Sequence, residues 1–466
     1  MTEFTQGKPL EQISLQDLRK QLKNAMGETD DFTIVELQLQ DADVLLCYLT
    51  TMTNPDFMMD NIIKPITQAN LPSPNQEDKS LVDHLRMYVL GGLTTQLQEK
   101  PTGMTQAISQ GFAVLYIKGA AEALLIDVKD MDKRSVTEPT SQNVIQGPKD
   151  GFTESAATNM SLIRRRIMNE GLQFERYEKG ARTKTAVYLV YLKGTVISGV
   201  LDQVRAHMMK MKLDSLFDSS AIEKQFKSSR FQLFPTTLSS EKPDTVCSNL
   251  MEGRIAVIVD GSPFVIVIPA LFADFFESPE DRYQWVVFGV FSRFIRYVAF
   301  FFSLCIPSLY VAVTSYQQEL IPTILLTSIA AQREGIPFPT VIEVLIMEIT
   351  FEILREACTR MPPMVGQSIA IAGALVLGEA SVQAGIVSNI TVIVISLAVI
   401  SSYVSPFYTF GANIRLFRYA LIVFGSLLGL YGVILGCAFI MIHLARIEMF
   451  GVPYMNFSSK IRKGPL

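Results

Sequence analysis

Apolar residues crowd into the last third of this chain. Residues 297–318 and 380–414 hold no charged side chain, and 419–444 hold none apart from His443. A helix needs roughly 20 apolar residues to cross a bilayer, so this region predicts membrane helices. No comparable run occurs before residue 285. The earlier residues show a shorter, strand-like pattern. Gly111 opens an apolar run that ends at Gly119, and residues 123–128 form a second run. Gly253 and Gly261 bracket a similar run, followed by residues 264–268. Each pair reads as a β-hairpin. Ahead of each lie a short β-prone run (44–51, 186–192) and a helix-like stretch (58–66, 196–211). The pattern predicts two similar α/β modules.

The expected organisation is a polar N-terminal tail (1–29), an α/β subdomain (30–134), a Pro/Ser/Gly-containing linker (135–154) and a second α/β subdomain (155–284). A transmembrane domain (285–450) and a cytosolic tail (451–466) follow. The fold class is a duplicated α/β cytosolic N-terminal domain joined to an all-α multi-pass membrane domain. Clear spans fall at 294–313, 386–404 and 419–443. Weaker ones fall at 339–357, which is acidic, and 361–378, which is interrupted by Pro362 and Pro363. Residues 321–331 are too short to cross. The count is four to six membrane helices, some of them re-entrant, which protein or a water-filled cavity must then cover. A simple four-span count leaves Arg415 and Arg418 outside.

A net charge of −4 gives no electrostatic case for nucleic acid. The five cysteines form no CxxC pair, and the sequence contains no Walker loop, GxSxG or HExxH. Neither a catalytic centre nor a metal or cofactor site is expected, and the chain does not read as an enzyme. The polar start lacks the apolar core of a secretory leader. Basic residues after Leu444 place the C-terminus in the cytosol with the head. The triple arginine 164–166 reads as a solvated or salt-bridged helix face, or as a patch for anionic lipid or a partner.

The acidic segment is the sharpest chemical feature. Glu348, Glu352, Arg355 and Glu356 share one stripe of a helix that also carries Glu343. Ionisable groups at membrane depth face a bundle interior or water. Three readings stand: pairing between helices, an interfacial amphipathic helix, or the lining of an ion path. Gly373, Ala374 and Gly378 allow close helix packing or line a narrow hydrophobic gate.

Several long motifs resemble the A subunits of GerA-type bacterial spore germinant receptors. They include Val144–Glu154 (VIQGPKDGFTE), Asn159, Leu162–Arg166, Phe234-Pro-Thr236, Lys242-Pro-Asp244 and Glu252–Phe264. In the apolar part they include Arg333–Pro339 (REGIPFP), Glu343, Phe351–Glu356 and Gly366-Gln through Gly378. The resemblance covers about residues 30–455. Gln146, Lys149-Asp150 and Glu379 depart from the usual family pattern. The resemblance implies a multi-pass protein of the spore inner membrane. It further implies a transporter-like B subunit and a lipoprotein C subunit as partners, contact with membrane lipid, and a homo-oligomer that passes ions when nutrient binds. An accessory channel-type paralogue that amplifies germination without binding nutrient is a second reading. A membrane-anchored ligand-binding protein or enzyme is a third.

Overall fold

The computed structural model describes residues 10–39, 42–69, 81–128, 146–227, 232–362, 373 and 376–456. These form two compact units. One holds residues 10–227 and 237–270, the other 232–236 and 271–456.

The first unit contains two five-stranded antiparallel sheets of identical strand order. The first sheet uses β1 (Phe32–Leu39), β2 (Ala42–Leu49), β3 (Thr95–Gln98), β4 (Phe112–Ile117) and β5 (Ala123–Asp127), ordered β1-β2-β4-β5-β3. The second uses β6 (Leu172–Lys179), β7 (Thr185–Leu192), β8 (Leu238–Ser240), β9 (Ile255–Val259) and β10 (Val265–Ile268), ordered β6-β7-β9-β10-β8. Both expected hairpins are present, as β4/β5 and β9/β10. Gly111 and Gly253 enter them, and Gly119 and Gly261 turn them, all with φ between 82° and 93°. Glycine adopts that region without a Cβ penalty. The equivalence extends further upstream. Lys100-Pro101 and Lys242-Pro243 open matching helices, Pro101–Ser109 and Pro243–Met251, at the same spacing before Gly111 and Gly253.

Helices cover both faces of the first sheet. On β2 and β4, Leu45, Cys47, Val114 and Tyr116 point into one core, while Val44, Leu46, Ala113 and Leu115 point into the other. A sheet covered on both faces needs continuous apolar strands, hence the unbroken runs in the sequence. The first core includes a helix at Leu15–Met26, where the sequence reads as a polar tail. That expectation is corrected here. Ser14 caps the helix, and Leu18, Leu22 and Met26, spaced four apart, are fully buried. So narrow a stripe is easily lost among polar neighbours. Residues 1–9, 457–466 and part of the linker (135–145) lie outside the described residues.

The two lobes meet at a polar seam. Arg164, fully buried, donates from Nε and Nη2 to the Asp31 carboxylate at 3.0 and 2.9 Å. Thr29 and Thr51 also donate to Asp31. The Gln173 amide donates to the Met26 carbonyl at 2.7 Å. The arginine run is therefore salt-bridged, with Arg166 held by Asp150 at 2.6 Å.

The second unit is helical. We label its long helices α1 (Val286–Ser315), α2 (Thr323–Arg333), α3 (Thr340–Arg360), α4 (Asn389–Ser402) and α5 (Tyr408–Arg446). Of these, α1 and α5 are long and apolar enough to cross a membrane. α5 breaks at Gly429, with φ 64° and ψ −143°. A groove bounded by residues 416–424 on one side and 436–440 on the other shows that the break folds α5 back into a hairpin. The hairpin tip meets the end of α1. The Tyr316 hydroxyl donates to the Ser426 carbonyl at 2.8 Å, and the Leu430 N–H donates to Gln317 Oε1 at 3.1 Å.

The helices alternate in direction. Midway along α1, Phe300 stacks on Phe410, near the start of α5. At the far end, Thr314 meets Thr340, the start of α3. α3 then runs back, and the chain returns alongside it. A Cβ on Gly373 would lie 2.8 Å from Leu354 Cδ1, and one on Gly385 would lie 3.5 Å from the Gly335 carbonyl. α4 starts at the far end, where Thr391 lies 3.2 Å from the Tyr310 hydroxyl.

Candidate functional site

The acidic helix α3 carries four carboxylates into the helical unit. Three prolines, at 337, 339 and 322, punctuate the segment before it, and Pro339 precedes its first residue. From there α3 runs without interruption to Arg360. Its carboxylates meet three environments.

Glu343 is fully buried in the first turn. Its Oε2 accepts the Ser388 N–H at 3.0 Å and the Thr391 hydroxyl at 3.1 Å. Ser388 caps α4, so the carboxylate sits against that helix's positive N-terminal end. Arg333, the last residue of α2, brings Nη2 within 3.2 Å of Oε1. One carboxylate thus ties α2, α3 and α4 together.

Glu348 is buried against Arg418 of α5, with Oε2 and Nη2 3.1 Å apart and side-chain exposures of 2% and 1%. The other carboxylate oxygen, and Nε and Nη1 of the arginine, find no hydrogen-bond partner among the described residues. Glu352 contacts Arg355 one turn on, and its Oε2 lies 3.5 Å from Arg415 Nε. Glu356 has turned outward and pairs with Arg360 at 2.6 Å.

The single stripe expected from the sequence is therefore divided by depth: Glu343 and Glu348 inside, Glu352 at the edge, Glu356 exposed. Every one of the four has an arginine beside it. Arg415 and Arg418 are helix residues facing α3. The sequence reading missed them as partners. Their spacing of three, on a helix bordered by charge-free runs, was the available signal.

Gly373 and Gly378 face neighbouring helices: a Cβ on Gly373 would come within 2.8 Å of Leu354, and one on Gly378 within 3.8 Å of Val392. Ala374 lies outside the described residues. Of the residues that depart from the family pattern, Asp150 holds Arg166, and Glu379 accepts a surface hydrogen bond from Gln383 at 3.1 Å. Among the described residues no cluster of His, Cys, Asp and Glu could hold a metal.

Residues 20–465 match the model of the Bacillus/Clostridium GerA spore germination protein family. Spore germination protein KA of Bacillus subtilis is 39% identical over 93% of this chain and 80% of its own. The uncharacterized membrane protein YfkQ of the same organism is 34% identical over 96% of this chain and 87% of its own. Among solved structures, the N-terminal domain of the A subunit of the Bacillus megaterium spore germinant receptor GerK3 matches 57% of this chain and 98% of its own, at 25% identity and a TM-score of 0.45. A match along nearly the whole chain settles the relationship: this protein belongs to the GerA family of spore germination proteins.

Proposed function

We propose that the chain is the A subunit of a nutrient-responsive germination receptor. In this reading its helical unit crosses the spore inner membrane six times and its α/β head lies in the cytosol. Several copies, with a transporter-like B subunit and a lipoprotein C subunit, build an ion-conducting or signalling assembly. The observation that carries the membrane reading is the alternation of the helices. α1, α3, the segment through Gly373 and Gly385, α4 and the two arms of α5 run alternately toward and away from one end. Glu343, Glu348, Arg415 and Arg418 are turned inward and paired, while Val287, Phe294, Tyr431, Leu435 and Phe439 are exposed. Soluble monomers seldom leave that much contiguous apolar surface in water. Trp285, exposed at the start of α1, suits an interfacial anchor.

The arginine partners favour pairing over a bare acidic lining as the resting role of α3. Breaking the Glu348–Arg418 and Glu352–Arg415 contacts would let α3 part from α5 and uncover charge in the bundle. Ile342, Ile349 and Ile353 form an exposed apolar stripe on the same helix, available to lipid or a second copy.

Two measurements test this. Spores lacking the gene should lose cation and dipicolinate release toward at least one nutrient in a panel of amino acids and sugars. Unchanged release toward every nutrient would overturn the receptor reading. In Glu352→Gln spores, pairing predicts reduced abundance, because Arg355 loses the carboxylate beside it. A conducting carboxylate predicts normal abundance with altered flux or selectivity. Normal abundance with unaltered flux would sink both roles for Glu352.

A further inference from the structure

The hairpin of α5 carries a feature that the germination reading leaves unused. Between its arms and Leu233 lies a groove of about 270 Å³. Phe417, Ala420 and Phe424 form one wall, and Phe439 and Ile440 the other. All are apolar, and Ala420, Phe424 and Phe439 are open to the outside.

Beyond the groove the same helix face turns polar. On the return arm, Gly436, Phe439, Ile440, His443 and Arg446 follow one another at helical spacing along one face. The His443 ring lies 6.5 Å from that of Phe417, a groove wall. Its Nε2 is shielded from solvent and has no hydrogen-bond partner among the described residues. Arg446, in the last turn of α5, is exposed. The rise from Gly436 to Arg446 is roughly 15 Å, about the separation between a headgroup and the middle of its acyl chain. One helix face thus passes from an apolar slot to two basic side chains, the complement of an anionic amphiphile.

We infer that this groove binds one acyl chain of an anionic phospholipid from the surrounding bilayer, with the headgroup phosphate at Arg446 and His443. The inference rests on the reading that α5 lies in the membrane. A side chain from a second copy would fill the slot but would give no reason for the basic end. A cation near an anionic leaflet adds binding energy only toward charged lipid, so the site should select by headgroup.

The test uses the full chain in nanodiscs that contain phosphatidylglycerol or phosphatidylcholine with a photoreactive acyl chain. Labelled peptides are then mapped. The phosphatidylglycerol probe should label 416–424 and 436–440 in preference to the phosphatidylcholine probe. Ala420→Trp fills the slot from an exposed position and should abolish that labelling while leaving the outward face of α1 labelled. Arg446→Gln, on the surface, should reduce the headgroup preference by about fivefold. Equal labelling by both lipids, or labelling that survives Ala420→Trp, overturns the site and leaves the membrane reading intact. A chain labelled nowhere by either probe overturns both.

Discussion

At the scale of single residues, buried charge pairs decide what this chain tolerates. Glu348 and Arg418 are almost completely withdrawn from solvent. Removing one member of such a pair strands the other, at a cost of about 3–5 kcal/mol. Arg418→Gln should therefore lower the amount of protein in membranes and its melting temperature in detergent, as should Glu348→Gln. The double variant should recover much of the loss, and strictly additive losses would show that the two side chains are not coupled. The head offers a second case, in pH. Burial pushes the Asp31 carboxyl up, but the Arg164 charge and hydrogen bond, with those of Thr29 and Thr51, outweigh it and hold its pKa below the ordinary 3.8. A carboxylate with a depressed folded pKa stabilises the fold above its unfolded value and loses that contribution as pH falls through the folded one. The seam between the lobes should weaken only below about pH 4. Asp31→Asn should weaken it at neutral pH and flatten the acid dependence. Acid titration of hydrogen exchange at the α-helix containing Arg164 and at the strand following Asp31 would read this directly. An unchanged acid profile in Asp31→Asn would remove Asp31 from the account. The carboxylates could be read from the chain because each is an anomaly in an apolar setting. Arg415 and Arg418 left only their spacing of three as a signal, because pairing across helices is a tertiary fact.

At the scale of elements, period and punctuation carried most of the information. The hairpins β4/β5 and β9/β10 were legible from glycines that need positive φ, and the strands from apolar runs covered on both faces. The helix at Leu15–Met26 was not, because its three buried residues are diluted by polar ones. Nor was the turn in α5, because the apolar run continues across it. Gly425, Gly429, Gly432 and Gly436 mark it in retrospect. Gly429 supplies the positive φ, and Gly425 lets the arm approach α1, where a Cβ would come within 2.9 Å of the Ser308 carbonyl. The return arm carries its own test. Cys437 Sγ lies 3.7 Å from Cys305 Sγ on α1, and a disulfide needs a separation of about 2.0 Å. Diamide treatment of membranes should oxidise the two thiols to one intramolecular disulfide, with their two electrons and two protons passing to the diamide. Mass spectrometry should find the joined peptides, and Cys305→Ser should eliminate them. If both thiols remain open to alkylation after treatment, the arm does not return along α1.

At the scale of the whole molecule, the helical unit is ordered by which end of the bundle each turn occupies. α2 and the tip at Gly429 share the end where α1 finishes, as the bonds of Tyr316, Gln317 and Arg333 show. The end of α3 and the start of α5 share the opposite end, as the Arg415–Glu352 contact shows. Paired charges make this order compatible with lipid, because no ion pair of α3 except the outermost, Glu356–Arg360, is fully exposed. If the bundle lies across the membrane, the two ends face different compartments. This can be measured with single cysteines placed in a chain whose five native cysteines are replaced. Ser328→Cys on α2 and Leu428→Cys at the tip should react with a membrane-impermeant thiol reagent in intact protoplasts. Thr359→Cys, at the other end of α3, should react only after permeabilisation. All three positions are exposed on this fold, so access is decided by the membrane and not by packing. Labelling of Ser328→Cys and Thr359→Cys from the same side would mean that α3 does not cross. Its charges would then belong to a helix lying at the surface, and the six-pass arrangement would fall with it.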